Sequence, residues 1–156
     1  MRYFSDRLLS LVEFTEHAYM RLEEVLRGIK EEELYWHPVP EMNTACKILR
    51  HTSRISFVLL PQVVEGTTRG DWDDDYEKRE HSLSEMLDDI EAGKQRVLRG
   101  MRILKDEDLE LVIPLWGGKH RRVEGLNMLI GELIYHAGQI ALLRGAYRRT
   151  PRRGLS

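Results

Sequence analysis

GELIYHAGQIALLRGAYR, residues 131–148, carries the period on which the fold reading turns. At 100° per residue from His136, the residues Leu129, Leu133, Ile140 and Leu143 fall within about a sixth of a turn of it, so one helix face is apolar. Glu132 stands four residues before His136, which stacks carboxylate and imidazole on the edge of that same face. A charged group placed there needs a partner, because an isolated buried carboxylate is costly. A metal ion is one such partner. The helix is predicted from about Val123 to Arg149, roughly 40 Å at 1.5 Å per residue.

Three earlier segments share the 3.6-residue period. Residues 3 to about 29 carry Phe4, Leu8, Leu11, Ala18, Leu22 and Leu26 on one face, with Gly28 at the end and His17 on the polar side. After the proline-containing turn KEEELYWHPVPEMNTA, a second helix is capped by Asn43 or Thr44 and runs to about Val64. His51 lies on its inner face with Ile48, Ile55, Val58 and Leu59, and Pro61 is expected to kink its last turn. Residues 65–81 read as a polar loop whose acidic run, Asp71 to Asp75, lacks the spacing of an EF-hand and reads as solvated surface. A third helix, capped at Ser82 or Ser84, continues to Leu104. The connection KDEDLELVIPLWGGKHRR then holds a short apolar piece and a Gly-Gly turn. Four amphipathic helices without a strand pattern predict an all-α, antiparallel four-helix bundle, one domain spanning residues 1–156.

The last helix also repeats glycine every seventh residue, at Gly131, Gly138 and Gly145, on the side away from His136. Each mid-helix glycine costs about 1 kcal/mol relative to alanine. Two readings stand: close approach by another helix, such as that of a second subunit in a homodimer, or an exposed face with relaxed propensity. Arg144, Arg148 and Arg149 suit the helix C-terminus, and with Arg152 and Arg153 are expected to face solvent.

Composition narrows the class. The chain has 156 residues, 32% of them charged, and a formal net charge of only −2, which gives no electrostatic case for nucleic acid or an anionic membrane as partner. No uninterrupted apolar run approaches the roughly 18–20 residues of a membrane span, and the N-terminal stretch lacks a signal-peptide pattern. A single cysteine, Cys46, rules out an intrachain disulfide framework and reads as a small buried side chain. A cytoplasmic protein is expected.

His51, Glu132 and His136 together make a two-histidine, one-carboxylate set of the kind that suits catalytic zinc or non-haem iron(II). Single histidines on apolar faces are commonly core residues held by hydrogen bonds, and that reading also stands for these two. Other motifs are absent. There is no HExxH, no phosphate-cradling glycine loop, no dinucleotide fingerprint and no Glu-x-x-His pair of a di-iron bundle.

YWHPVPEMNTACKILRH, IPLWGG and ELIYHAGQIALLRG, in that order and spacing, resemble the signature segments of the DinB/YfiT-like superfamily. The likeness covers the second and fourth helices and their lead-ins. It implies a four-helix bundle with a metal site at one end, and it places the family's three ligands on His51, Glu132 and His136. Many members carry histidine where this chain has Glu132; glutamate there is similar to the branch containing mycothiol-dependent maleylpyruvate isomerase. The resemblance implies a thiol S-transferase that activates a low-molecular-weight thiol on a divalent ion. Zinc is expected, with nickel, iron or manganese as alternatives. Substrate contacts would come from Trp36, Trp116, Tyr135 and Gln139, and no residue stands out as a general base. The alternatives are a metal-dependent hydrolase using metal-bound water and a non-enzymatic, stress-related binding protein.

Overall fold

In the computed structural model, which describes residues 4–69 and 72–151, four long helices enclose one core. Tyr3 at the first helix start, Asp71 of the acidic run, and Arg152 and Arg153 lie outside the described residues. Helix α1 spans Asp6–Leu26, with Ser5 accepting the Leu8 N–H at its start. A single turn, α2 (Glu31–Leu34), follows. The second long helix begins as α3 (Ala45–Arg54), capped by Thr44, whose hydroxyl accepts the Lys47 N–H. It passes through a π turn at Ile55–Leu59 and ends as α4 (Leu60–Glu65).

The π turn sits one step ahead of the predicted kink, and Pro61 accounts for it. Proline has no N–H to offer the carbonyl of Phe57, and the Leu60 N–H instead reaches back five residues to Ile55. The widened turn holds Ser56 inside the core, where its hydroxyl donates to the Ile90 carbonyl and accepts from Tyr19. A Cβ at Gly93 would lie 2.1 Å from the Ser56 carbonyl oxygen, so glycine is what lets the facing helix pack there.

That helix, α5 (Leu83–Met101), opens with a full capping box: Ser82 accepts the Glu85 N–H and Glu85 accepts the Ser82 N–H. Of the two expected caps, Ser82 is the one the structure uses, and its reciprocal pairing with Glu85 is the part the sequence analysis did not predict. The following connection is more ordered than predicted. It forms the short α6 (Asp106–Glu110) and a two-stranded hairpin, β1 (Val112–Leu115) with β2 (Gly118–Arg121), pairing Val112 with Arg121. Trp116 (φ 48°) and Gly117 (φ 72°) make the two-residue turn, both in the left-handed region that a type I′ hairpin requires. Four-residue strands are too short for an alternating pattern to stand out, which is why no strand was predicted.

Helix α7 (Arg122–Arg149) completes the bundle. By length and composition it is apolar enough to cross a bilayer, although polar residues interrupt it, because one 18-residue stretch of it holds at most two charged residues. Its apolar stripe (Leu126, Leu129, Ile130, Leu133, Ala137 and Ile140) lies in the core.

The helices are not uniformly antiparallel. Gly125 packs by Val63 while His136 meets His51, so α7 runs against α3–α4. Arg144, late in α7, bonds to the Val25 and Arg27 carbonyls, late in α1, so these two run parallel. Thr15 meets Met101, and Glu23 pairs with Lys94, so α5 opposes α1 and lies parallel to α3–α4. The order is up, down, down, up. Two consecutive parallel helices need a crossover that returns the full length of the bundle, and residues 66–69 and 72–82 belong to it.

Arg144 departs from expectation in a second way. It is 6% exposed, not solvent-facing, and its guanidinium bonds both oxygens of buried Glu33 as well as the two α1 carbonyls. Burial alone would push the Glu33 carboxyl up. The Arg144 hydrogen bonds, the Lys30 N–H and the charges of Arg144 and Arg148 outweigh it and hold the group below its ordinary value.

Candidate metal centre

α3 supplies His51 and α7 supplies Glu132 and His136, one turn apart on the side that faces α3. Each offers a ligand atom within 4.8 Å of the others, and the two imidazoles lie 5.0 Å apart at 89°. Among the described residues this is the only such group of histidine, cysteine or carboxylate side chains. All three are half-buried, so the group lies at the wall of the bundle instead of deep in its interior.

The second nitrogen of each ring is already engaged. His51 Nδ1 lies 3.0 and 3.1 Å from the two oxygens of Glu77, and a carboxylate can only accept, so Nδ1 carries the proton. His136 Nδ1 donates to Gln139 Oε1 at 2.7 Å, and Gln139 in turn donates its amide N–H to the Tyr135 hydroxyl at 3.2 Å. Both rings are therefore held in the tautomer that leaves Nε2 as a bare lone pair. Histidine ligands are oriented in this way in metal sites, by a carboxylate or carbonyl on the far nitrogen. Glu132 has no hydrogen bond or ion pair among the described residues although it sits beside two imidazoles. Two imidazoles and a carboxylate brought this close, with no other partner for the carboxylate, form a donor set that fits a divalent ion.

The crossover builds the outer support. Arg54, one turn beyond His51, pairs with Asp74 at 2.9 Å and with Glu77 at 3.0 Å, and its guanidinium also donates to the Trp72 carbonyl. Glu77 is thereby fixed between a cation and an imidazole. Burial would raise the Asp74 carboxyl, but Arg54 and the Tyr76 N–H hold it below its usual range. Tyr76 anchors the same loop from inside, its hydroxyl donating to Asp89, with burial pushing its pKa up. The acidic run is thus not uniformly solvated. Asp73 and Asp75 are exposed, whereas Asp74 and Glu77 are structural acceptors that sequence reasoning missed. The available signal was Arg54 itself, a cation in the last turn of α3 with no carboxylate in reach along its own helix.

The structure does not bring Trp36 or Trp116 to this group. Trp36 packs edge-on against Tyr147, and Trp116 packs against Trp72 and His120 in the hairpin. Tyr147 lies eleven residues beyond His136, and Gly125, which packs on Leu115, lies eleven before it, so each tryptophan marks a level about 16 Å away along α7. Cys46 is buried, with Arg50 Nη2 at 3.8 Å from its sulfur. His17 is exposed.

The family model of the DinB superfamily matches residues 15–140, most of the chain and all three residues of the centre. A search of curated proteins finds no match. Among solved structures, the chain is similar to a DinB-like protein from Bacillus subtilis, at 14% identity with a TM-score of 0.68, over 93% of this chain and 96% of that one. It is equally similar in shape to a conserved protein from Enterococcus faecalis, at 18% identity and a TM-score of 0.68, over 92% and 96%. At such identities the likeness is one of fold.

Proposed function

Because the chain belongs to the DinB superfamily, we propose that it holds one divalent metal ion on His51, Glu132 and His136 and transfers a low-molecular-weight thiol to an electrophilic small molecule. The observation that carries this reading is the pair of imidazoles fixed at Nδ1 beside an unpaired carboxylate. A bound divalent ion supplies the positive charge that keeps a thiol in its nucleophilic thiolate form at neutral pH. The protein's own groups do the rest. Glu77, tied down by Arg54, fixes the His51 ring, and Gln139 fixes that of His136. The Tyr135 hydroxyl accepts from Gln139 beside the centre, and these two are the polar groups offered to a substrate.

The residues supporting the centre also argue about mechanism. Glu77, the nearest further carboxylate, has both oxygens committed to His51 and one of them to Arg54 as well, so it is not free to take a proton. A nucleophile activated by charge needs no such base. Zinc suits the two-imidazole, one-carboxylate donor set, with nickel, iron and manganese as the other candidates. The cytoplasm is the matching location, since low-molecular-weight thiols are kept reduced there.

The test is a paired activity screen on metal-loaded protein. One arm offers small thiols with electrophiles, and the other offers esters and amides. Turnover in the thiol arm, lost in Glu132→Ala, is expected. Turnover only in the second arm would replace transfer by hydrolysis, and metal-loaded protein inert in both would leave a binding protein.

A further inference from the structure

The face of α7 directly opposite its core stripe has no partner among the described residues. It holds Met128, Tyr135 and Leu142, which are 54%, 63% and 63% exposed. These three recur every seven residues, and the glycines Gly131, Gly138 and Gly145 recur in the same register three positions later. A large residue and a glycine thus alternate along a heptad seam, the pattern by which one helix sets knobs into the hollows of another. Among the described residues nothing fills the hollows at Gly131 and Gly138. A Cβ at Gly131 or Gly138 would meet no atom within 4 Å, and one at Gly145 would meet only the side chain of Arg149 in its own turn.

We propose that this seam is the interface of a two-fold homodimer in which the α7 helices pack antiparallel. The spacing selects one register. With Tyr135 set over the partner's Gly138, Met128 falls over the partner's Gly145 and Leu142 over the partner's Gly131, so every large side chain meets a glycine. The same register carries the seam onto charges at both ends, where Glu124 comes opposite the partner's Arg149, and the two-fold repeats the pair. Opposite charges at matched seam positions set partner choice and orientation in helix pairs. A parallel arrangement in equal register would set Glu124 against Glu124 and Arg149 against Arg149. The axis passes between His136 and Ala137, and a two-fold perpendicular to the helices keeps both metal centres on one face of the dimer. Tyr135 lies in the seam while its hydroxyl touches Gln139, so the interface adjoins the residues that hold His136.

Light-scattering mass of the full chain tests the proposal. The native protein is expected near twice 18.3 kDa. Gly138→Leu should fall to the single-chain mass while its helical circular dichroism is unchanged and its melting remains cooperative, because there is open space for the side chain within one chain. Glu124→Arg should weaken the dimer at least tenfold, and Glu124→Arg combined with Arg149→Glu should restore it, which a damaged helix start would not. A native protein of single-chain mass overturns the proposal; if that monomer sediments with phosphatidylcholine vesicles, the face belongs to a lipid surface instead. A Gly138→Leu protein that keeps the dimer mass overturns the seam, and a double variant that stays dissociated overturns the register.

Discussion

His51 and His136 illustrate how much of this site is decided by atoms that touch no substrate. Each ring keeps one nitrogen bare because the other is held, by Glu77 in one case and Gln139 in the other. Replacing Glu77 by alanine should leave the three ligands in place but free the His51 ring, lowering metal affinity about 10–100-fold. Competition against a chromophoric chelator measures this, and an unchanged affinity would reduce Glu77 to a loop anchor. Arg144 is the other decisive residue. Removing one member of a buried ion pair leaves its partner charged and desolvated, so Arg144→Ala is expected to cost about 3–5 kcal/mol. Urea unfolding gives the value, and a loss below about 1 kcal/mol would show the pair to be dispensable. Neither role was legible in the sequence. Arginines near a helix C-terminus usually reach solvent, and Glu33 lies 111 residues away in the chain. His51, Glu132 and His136 could be picked out earlier because each sits on the apolar side of its own helix.

At the scale of elements, helix periodicity was readable and helix direction was not. The 3.6-residue pattern marks α1, α3–α4, α5 and α7 within a few residues of their ends. Periodicity carries no information about whether neighbours run parallel, and the up-down-down-up order follows from the long crossover, whose length alone did not reveal its path. That path matters, because the crossover brings Glu77 and Asp74 against α3. The π turn was half legible: Pro61 announces a missing hydrogen bond, but not that the ladder would widen before it. Its packing makes a sharp prediction. Gly93→Ala drives a methyl into the Ser56 carbonyl and should destabilise the fold by about 1–3 kcal/mol, even though alanine is the better helix former. Thermal melting checks it, and a variant as stable as the native chain would mean that α5 and the π turn are further apart.

For the whole molecule, the two loop-to-helix and helix-to-helix ion pairs make stability depend on acid. Glu33 and Asp74 both have carboxyl pKa values held below their ordinary range, by Arg144 and by Arg54 against the opposing effect of burial. A depressed folded value means the unfolded chain binds the proton more readily. The stabilisation is therefore complete above the ordinary carboxylate value of about 4 and is lost as pH falls through the depressed folded values. Melting temperature should hold from neutrality to about pH 5 and then drop. Glu33→Gln should start lower at neutral pH and fall less steeply in acid; parallel curves would show that Glu33 does not contribute.

The account rests on one cation held between α3 and α7, and its most direct test is the metal content of protein purified without chelator or nickel resin. Elemental analysis after dialysis is expected to find one divalent ion per chain in the native protein, and essentially none in His136→Ala with its fold intact by circular dichroism. Full retention of the ion by His136→Ala, or a native chain that takes up no divalent metal when titrated, would contradict the account.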